Sequence, residues 1–251
     1  MKAYTIMFII ALIANSCSNA DTRRMPSRPS IISVVRDETD PLIANCKPQP
    51  ILALFKFGDD KNREAYFRFQ LITDMRLSPM FEYHLPGGAP DKNGFKSTEP
   101  WHRERLILAF YDSVSGKLQT ATSNANKKPS LSYSECFSKI ASELTNFSKY
   151  QTAERTLIVF SDLQENTSLF SCYKEKDKQI LKQHPDTVAS LFTTTYPIPD
   201  NLSGTEIFFV YQSTTRADES SFFSMYNLYK RILEQRSAKV HLQTNAESFT
   251  E

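Results

Sequence analysis

Acidic side chains and a hydroxyl follow the predicted buried strands of this sequence, at the points where those strands end. They are Asp37, Thr39, Asp40, Asp74 and Asp162. Carboxylate and hydroxyl oxygens are the ligands that hard cations such as magnesium and manganese prefer. Clustered acids of this kind can also recruit magnesium for chemistry on phosphate esters. The sequence therefore directs attention to the ends of its strands.

Several other kinds of site have no motif in the sequence. The four histidines are scattered, without the spacing or cysteine partners of a zinc site. A Gly-rich phosphate loop and the G-x-S-x-G turn of many hydrolases are both missing from the sequence. A net charge of +2 also argues against a nucleic-acid-binding surface, which needs clustered Lys and Arg.

The N-terminal segment has the composition of a signal peptide. Lys2 is followed by an apolar run at residues 5–14, which is too short to span a bilayer as a stable helix. Such a run is typical of a signal-peptide core. We therefore expect residues 1–16 to be removed from the mature protein.

A small residue, Ser16, stands directly before Cys17 at the end of this run. The arrangement resembles the lipobox of bacterial lipoproteins, in which the cysteine is lipidated and becomes the first mature residue. The resemblance implies a membrane anchor at Cys17, a polar tether over residues 17–29 and a location in the cell envelope, on the periplasmic or surface side. An ordinary signal peptide cut nearby, with Cys17 incidental, is the alternative.

Buried-type strands alternate with helices from residue 30 onward. We predict strands at residues 30–35, 65–73, 81–84, 155–160, 206–211 and 238–243. Apolar stripes predict helices around residues 107–118, 137–147 and 222–233, and Pro48 and Pro50 favour a short helix there. Ser132 and Glu135 have the spacing of a capping box for the second of these helices.

This alternation predicts a single doubly wound α/β domain over residues 30–251, with a mostly parallel central sheet flanked by helices. Ligands of such sheets bind beyond the carboxyl ends of the strands, at the point where the strand order reverses. The acids at the strand ends are therefore expected to share one edge of the sheet.

A strand that ends in Asp37-x-Thr39, and a later one that ends in Ser161-Asp162, resembles a von Willebrand factor type A domain. The resemblance implies a metal-ion-dependent adhesion site, with Asp37, Thr39 and Asp162 as ligands of magnesium or manganese. Pro41 stands where the family has a second serine and cannot bind a metal. The resemblance therefore implies a degenerate site.

Structural roles are open to the same residues. Asp37 and Asp40 could form turns, since Asp side chains accept hydrogen bonds from backbone N–H groups nearby. Asp162, with Glu165 three positions later, could be the N-cap of a helix. Cysteines 46, 136 and 172 are odd in number and are predicted to be buried thiols, with one disulfide and one free thiol as the alternative.

The leading functional hypothesis is a lipid-anchored, non-catalytic protein that binds another protein of the envelope through its A-type domain. Asp40, Asp74 and Glu165 are the candidate partner-binding residues, and a weakly bound metal would assist. The alternative is a metal-dependent phosphohydrolase that uses Asp37, Asp40, Asp74 and Asp162. A structural lipoprotein with no small ligand is a third possibility.

Overall fold

The computed structural model describes residues 27–39, 46–73, 79–88, 100–125, 133–245 and 249. Cys17, Pro41, Asp40 and Asp74 lie outside these residues, as does Ser132. No helix within the described ranges is long and apolar enough to cross a membrane.

The described strands form one mixed sheet, and the strand predictions are confirmed. They are β1 (Ser30–Asp37), β2 (Ala65–Ile72), β3 (Met80–Leu85), β4 (Glu154–Phe160), β5 (Thr205–Val210) and β6 (Lys239–Gln243). The order across the sheet is β3-β2-β1-β4-β5-β6. All neighbours run parallel except β3, which pairs with β2 in the antiparallel direction at one edge. The α/β fold with a mostly parallel sheet is therefore confirmed.

Helices lie on both faces of the sheet, as the prediction of a doubly wound domain requires. They are α1 (Pro48–Ala53), α2 (Pro100–Ala125), α3 (Cys136–Phe147), α4 (Glu175–Gln183), α5 (Pro185–Thr195) and α6 (Arg216–Glu234). The sequence prediction missed α4 and α5. Helix α4 buries none of its residues and α5 buries only Val188 and Phe192, so neither has the broad apolar stripe that reveals a helix.

Alternate residues of β1 supply two separate cores. Ile31 and Val35 pack with apolar residues of α3, α5 and α6, whereas Ile32 and Val34 pack with those of α1 and α2 on the other face. Successive strand side chains point to opposite faces, so a strand covered on both sides is largely apolar. Full burial of one such side chain contributes about 1.5–3 kcal/mol. The central strands are therefore held rigidly from both faces.

The start of α3 differs from the prediction. The helix begins at Cys136 and its N-cap is Glu135, whose side chain makes no capping hydrogen bond, so the proposed capping box of Ser132 and Glu135 is wrong. Glu135 instead accepts a hydrogen bond of 2.5 Å from the hydroxyl of Tyr196. The backbone N–H of Phe137 is bound by a carboxyl group from a distant loop, that of Glu165, at 2.6 Å. A long-range contact thus replaces the local cap.

The three described cysteines are free and buried. Cys46 lies in the core beneath α1 and α2, and Cys136 and Cys172 lie in the core beneath α3 and α6. The prediction of buried thiols is confirmed for these residues, since no disulfide joins them.

Candidate functional site

The strand order reverses between β1 and β4, at the centre of the sheet. From β1 the sheet extends through β2 to β3, and from β4 it extends through β5 to β6. Arg36 pairs with Phe160 in the register of these two strands, so the next residues, Asp37 and Ser161, face one another where the strands end. This is the position at which open α/β sheets keep their ligand sites.

Asp37 is the centre of a hydrogen-bonded group at this point and has an exposed fraction of 0%. Its Oδ1 accepts hydrogen bonds from the backbone N–H of Thr39 at 2.8 Å and from the Thr39 hydroxyl at 2.6 Å. Its Oδ2 accepts one from the Ser161 hydroxyl at 2.8 Å. The bond to the Thr39 N–H is the turn-forming contact expected of an Asp at a strand end. Asp37 therefore joins the ends of β1 and β4.

Asp162 stabilises a tight turn directly after β4. Its Oδ1 accepts a hydrogen bond from the backbone N–H of Gln164 at 2.9 Å, and the Ser161 hydroxyl oxygen accepts one from the N–H of Leu163 at 2.9 Å. Leu163 has a φ of 59°, in the left-handed region, which costs a residue with a Cβ about 1–3 kcal/mol. The two local hydrogen bonds and the full burial of the Leu163 side chain offset that strain.

Asp162 is not the N-cap of a helix, so that interpretation is wrong. The next helix, α4, begins at Glu175, and Lys174 is its N-cap. The Asp162 side chain is half-buried, as is that of Thr39, whereas Asp37 beneath them is fully enclosed. We call Asp37, Thr39, Ser161 and Asp162 the switch-point cluster. Its two half-buried members are the ones that another molecule could reach.

Glu165 lies in the same loop, but its carboxyl group points into the protein and is 1% exposed. Its Oε1 accepts hydrogen bonds from the N–H of Phe137 at 2.6 Å and from the hydroxyl of Tyr229 at 2.5 Å. Its Oε2 is buried and has no hydrogen-bond partner in the described structure. Burial raises the pKa of Glu165 from 4.5 to about 8, although the hydrogen bonds from Tyr229 and Phe137 act in the opposite direction. Glu165 therefore anchors the loop to α3 and α6, away from the surface that a partner would contact.

Cys136 and Tyr229 complete this anchor, and sequence analysis missed both as members of the site. Both are completely buried. Burial, followed by the charges of Glu165 and Asp37, raises the pKa of the Cys136 thiol well above its usual value. A thiol of this kind is inert, because only the thiolate is nucleophilic. Tyr229 belongs to the apolar stripe of α6, and its buried hydroxyl was the one signal that it needed a polar partner.

Glu38 adds a further acid beside the cluster. Its backbone N–H donates to the carbonyl of Ile72 at 2.9 Å, and its side chain is half-buried. Burial raises the pKa of Glu38, an effect that the nearby charge of Arg36 partly opposes. Arg36 is itself buried, and burial lowers its pKa. The exposed side of this edge is therefore acidic.

The donor set of the switch-point cluster fits a hard cation in type. The hydroxyls of Thr39 and Ser161 both donate to Asp37, which leaves the oxygen lone pairs of half-buried Thr39 available as ligands, whereas the fully buried Ser161 oxygen already accepts a hydrogen bond from the N–H of Leu163. Asp37 and Asp162 are the carboxylates at the same edge. Within the described residues, however, no group of three His, Cys, Asp or Glu side chains could hold a metal ion. The switch-point cluster therefore offers the oxygen ligands that magnesium prefers, but few of these ligands are charged.

The comparisons with known proteins contribute little. No family model matches the sequence, and the curated proteins include no match to it. The crystal structure of the human COPII-coat protein Sec24c matches with a TM-score of 0.35 and 11% sequence identity, over 90% of this chain and 31% of that chain. The chain thus spans less than a third of that protein's length, and a similarity this weak carries no functional information.

Proposed function

We propose that this chain is a non-catalytic A-type domain that is held at the cell envelope by a lipid on Cys17 and binds another protein. The binding surface is the carboxyl edge of the sheet between β1 and β4. One observation carries the proposal, namely that the switch-point cluster stands where the strand order reverses, with Thr39 and Asp162 reachable from solvent. We expect the partner to be another protein of the cell envelope. The polar groups at this edge of the sheet determine which side chains of that partner can bind there.

A bound cation would give this surface its selectivity. The candidate ligands that an ion can reach are the carboxylate of Asp162 and the hydroxyl of Thr39, with magnesium or manganese as the metal, and fully buried Asp37 would hold Thr39 in place beneath the ion. Such an ion would attract a carboxylate of the partner to an edge that is otherwise acidic. With few charged ligands we expect weak binding, so that metal assists docking without being required for folding.

The geometry disfavours the alternative of a phosphohydrolase. A carboxylate nucleophile must reach the phosphorus atom of its substrate. Asp37 is fully buried, and both of its carboxylate oxygens accept hydrogen bonds from Thr39 and Ser161. The other acids of that hypothesis, Asp40 and Asp74, lie outside the described residues. We therefore favour binding over catalysis.

Photo-crosslinking tests the location of the binding surface. A photoreactive residue replaces Glu38, which lies at the carboxyl edge and is not a candidate ligand, and a matched one replaces Ser203, an exposed residue just before β5 at the amino edge. In cells, Glu38 is expected to give a discrete crosslinked species that Ser203 does not give. Equal crosslinking from both positions, or from neither, would refute an interface at the carboxyl edge.

Thermal unfolding in magnesium, manganese and EDTA tests the contribution of metal. A ligand that binds only the folded state stabilises it by about 2.7 kcal/mol at a hundredfold excess over its dissociation constant. We expect the wild type to melt at a higher temperature with metal than with EDTA, and Asp162→Ala to lose most of that difference. Coincident melting curves for the wild type would refute metal binding at the switch-point cluster. The protein-binding proposal would then depend on the crosslinking test alone.

Incorporation of radiolabelled palmitate tests the anchor. The wild type is expected to take up the label and to sediment with membranes, and Cys17→Ser is expected to do neither. Labelling that persists in Cys17→Ser would place the lipid elsewhere.

A further inference from the structure

A second candidate site lies apart from the carboxyl edge, in a cleft of about 620 Å³ between α4, α5 and α6. Its floor is apolar and contains the buried side chains of Phe170, Met225 and Leu228. Its rim contains the exposed side chains of Lys178, Lys182 and Arg231. Pockets for small organic ligands have volumes of about 300–1,000 Å³ and combine apolar walls with a few polar groups. The cleft has the size and composition of such a pocket.

All of the charged side chains that line the cleft are cationic. Lys178, Lys182 and Arg231 line it, and none of the described lining residues is Asp or Glu. Arg231 forms an ion pair with Asp186 outside the cleft. Neither Lys178 nor Lys182 has an acidic group within salt-bridge distance in the described part of the chain. Two cations are therefore left above an apolar floor without an internal counter-charge.

Helix α4 supplies a second argument, because it has no buried residue at all. Its Leu181 is only half-buried and lines the cleft. A helix of nine residues is marginal without tertiary packing, since most helical stability in proteins comes from burial of one face. An apolar body in the cleft would cover Leu181 and complete the packing that the protein alone leaves open.

We propose that this cleft binds a small organic anion that consists of an apolar body and one anionic head group. The apolar body lies on Phe170, Met225 and Leu228, and the head group lies between Lys178 and Lys182. The hydroxyls of Ser220 and Ser221 line the same cleft and are available to a carboxylate or phosphate, whereas the Ser224 hydroxyl donates to the carbonyl of Ser220 at 2.9 Å. This site does not depend on the function proposed for the carboxyl edge, although Gln164 borders both.

Three probes of equal chain length separate charge from apolar character. Decanoate, decan-1-ol and decyltrimethylammonium are titrated, below micelle-forming concentrations, into the full chain by isothermal titration calorimetry. We expect decanoate to bind at a ratio of one to one, and the alcohol and the cation to bind at least tenfold more weakly. Equal binding of all three would show non-specific adsorption and overturn the proposal, and so would no binding of decanoate.

Matched variants locate the site. The double substitution Lys178→Glu and Lys182→Glu is expected to weaken decanoate binding at least tenfold. Lys176→Glu is the control for charge, since Lys176 is exposed on the same helix and does not line the cleft. These side chains are exposed, so circular dichroism should show an intact fold. If Lys176→Glu weakens binding as much as the double variant, the effect is general electrostatics and the assigned site is wrong.

A steric pair provides independent evidence. Ser224→Phe fills the cleft from α6, whereas Ser190→Phe adds the same group to an exposed position of α5 outside it. Loss of decanoate binding in Ser224→Phe alone would support the site. A short acidic peptide, Asp-Glu-Leu-Phe, is titrated in parallel. Tight binding of this peptide without binding of decanoate would overturn the small-anion proposal and identify a peptide groove.

Discussion

Two carboxyl groups are buried at α3, that of Glu143 within the helix and that of Glu165 at its start, and the protein satisfies them in opposite ways. Glu143, which is 0% exposed, accepts hydrogen bonds from Arg68 Nε at 2.8 Å and from the Ser33 hydroxyl at 2.7 Å. Glu165, near the start of the same helix, receives hydrogen bonds only from neutral donors among its described contacts, those of Phe137 and Tyr229. One acid is neutralised by a cation, whereas the other is neutralised by a proton.

The pKa values follow this difference. Burial lowers the pKa of Arg68, but its hydrogen bonds and ion pairs with Glu143 and Glu82 outweigh burial and raise it. The hydrogen bonds from Tyr229 and Phe137 oppose the burial of Glu165 without the help of a cation, and its pKa rises to about 8. Arg68 therefore keeps its charge beside Glu143 across the neutral range. The region around Glu165, next to the switch-point cluster, changes its protonation within the neutral range.

Removal of Arg68 should have the largest effect on stability. Arg68→Met leaves Glu143 buried without its cation, and loss of one member of a buried ion pair costs about 3–5 kcal/mol. Urea denaturation at neutral pH measures this loss. The double variant Arg68→Met with Glu143→Leu is the control, since replacement of both partners by apolar residues is often close to neutral. A double variant no more stable than Arg68→Met would show that packing, and not charge, holds this region.

Asp37→Ala should have the next largest effect on stability. This residue belongs to the switch-point cluster, on the Glu165 side of the comparison. It leaves the buried Ser161 hydroxyl without its acceptor, and such an unsatisfied group costs about 1–3 kcal/mol. Asp37→Asn keeps a carbonyl oxygen and is expected to lose less. Urea denaturation of both variants measures the difference. Equal stability of Asp37→Ala and the wild type would mean that Asp37 does not join the ends of β1 and β4.

The comparison also predicts how stability depends on pH. Folding raises the pKa of Glu165 from 4.5 to about 8, so the folded state binds the extra proton between these values. The stabilisation from that proton is complete below pH 4.5 and is lost as pH rises towards 8. The free energy of unfolding should therefore fall by about 1.4 kcal/mol per pH unit across the window.

Glu165→Gln isolates this dependence from that of every other group. Gln keeps a carbonyl oxygen for the N–H of Phe137 and the hydroxyl of Tyr229 but does not titrate. Three buried neighbours of Glu165, namely Tyr229, Cys136 and Cys172, stay protonated in this range, since burial raises the pKa of each. The difference in slope between wild type and variant from pH 5 to 8 is the measurement. Parallel slopes would contradict a raised pKa at Glu165.

The sequence was sufficient for the sheet because its central strands are largely apolar. Burial on both faces leaves few polar positions in such strands, Ser33 of β1 and Arg68 of β2 among them, and parallel strands must end at one edge. Asp37 and Asp162 could therefore be assigned to a common edge from the amino-acid pattern alone. Helix α4 could not be predicted in the same way, since a helix that buries no residue has no stripe to detect.

Long-range polar contacts were the part that local patterns missed. The N-terminus of α3 looked as though Ser132 capped it, but Glu165, 28 residues beyond Phe137, binds the first-turn N–H instead. Arg68 and Glu143 are 75 positions apart in the sequence, and no local sequence pattern around either residue predicts that they pair. Such contacts depend on which helix covers which strand, and that is decided only when the whole sheet forms.

Asp162→Ala should have the smallest effect on stability, and this makes it the most informative test of function. Its side chain is half-buried and accepts the turn-forming hydrogen bond from the N–H of Gln164, and loss of such a bond costs about 0.5–1.5 kcal/mol. Urea denaturation in EDTA measures that cost against the larger cost of Asp37→Ala. If Asp162→Ala proves as damaging as Asp37→Ala, both acids serve the fold, and the carboxyl edge loses its best candidate for contact with a partner. If the cost is small while the response to magnesium or manganese disappears, Asp37 supports the edge and Asp162 carries its binding.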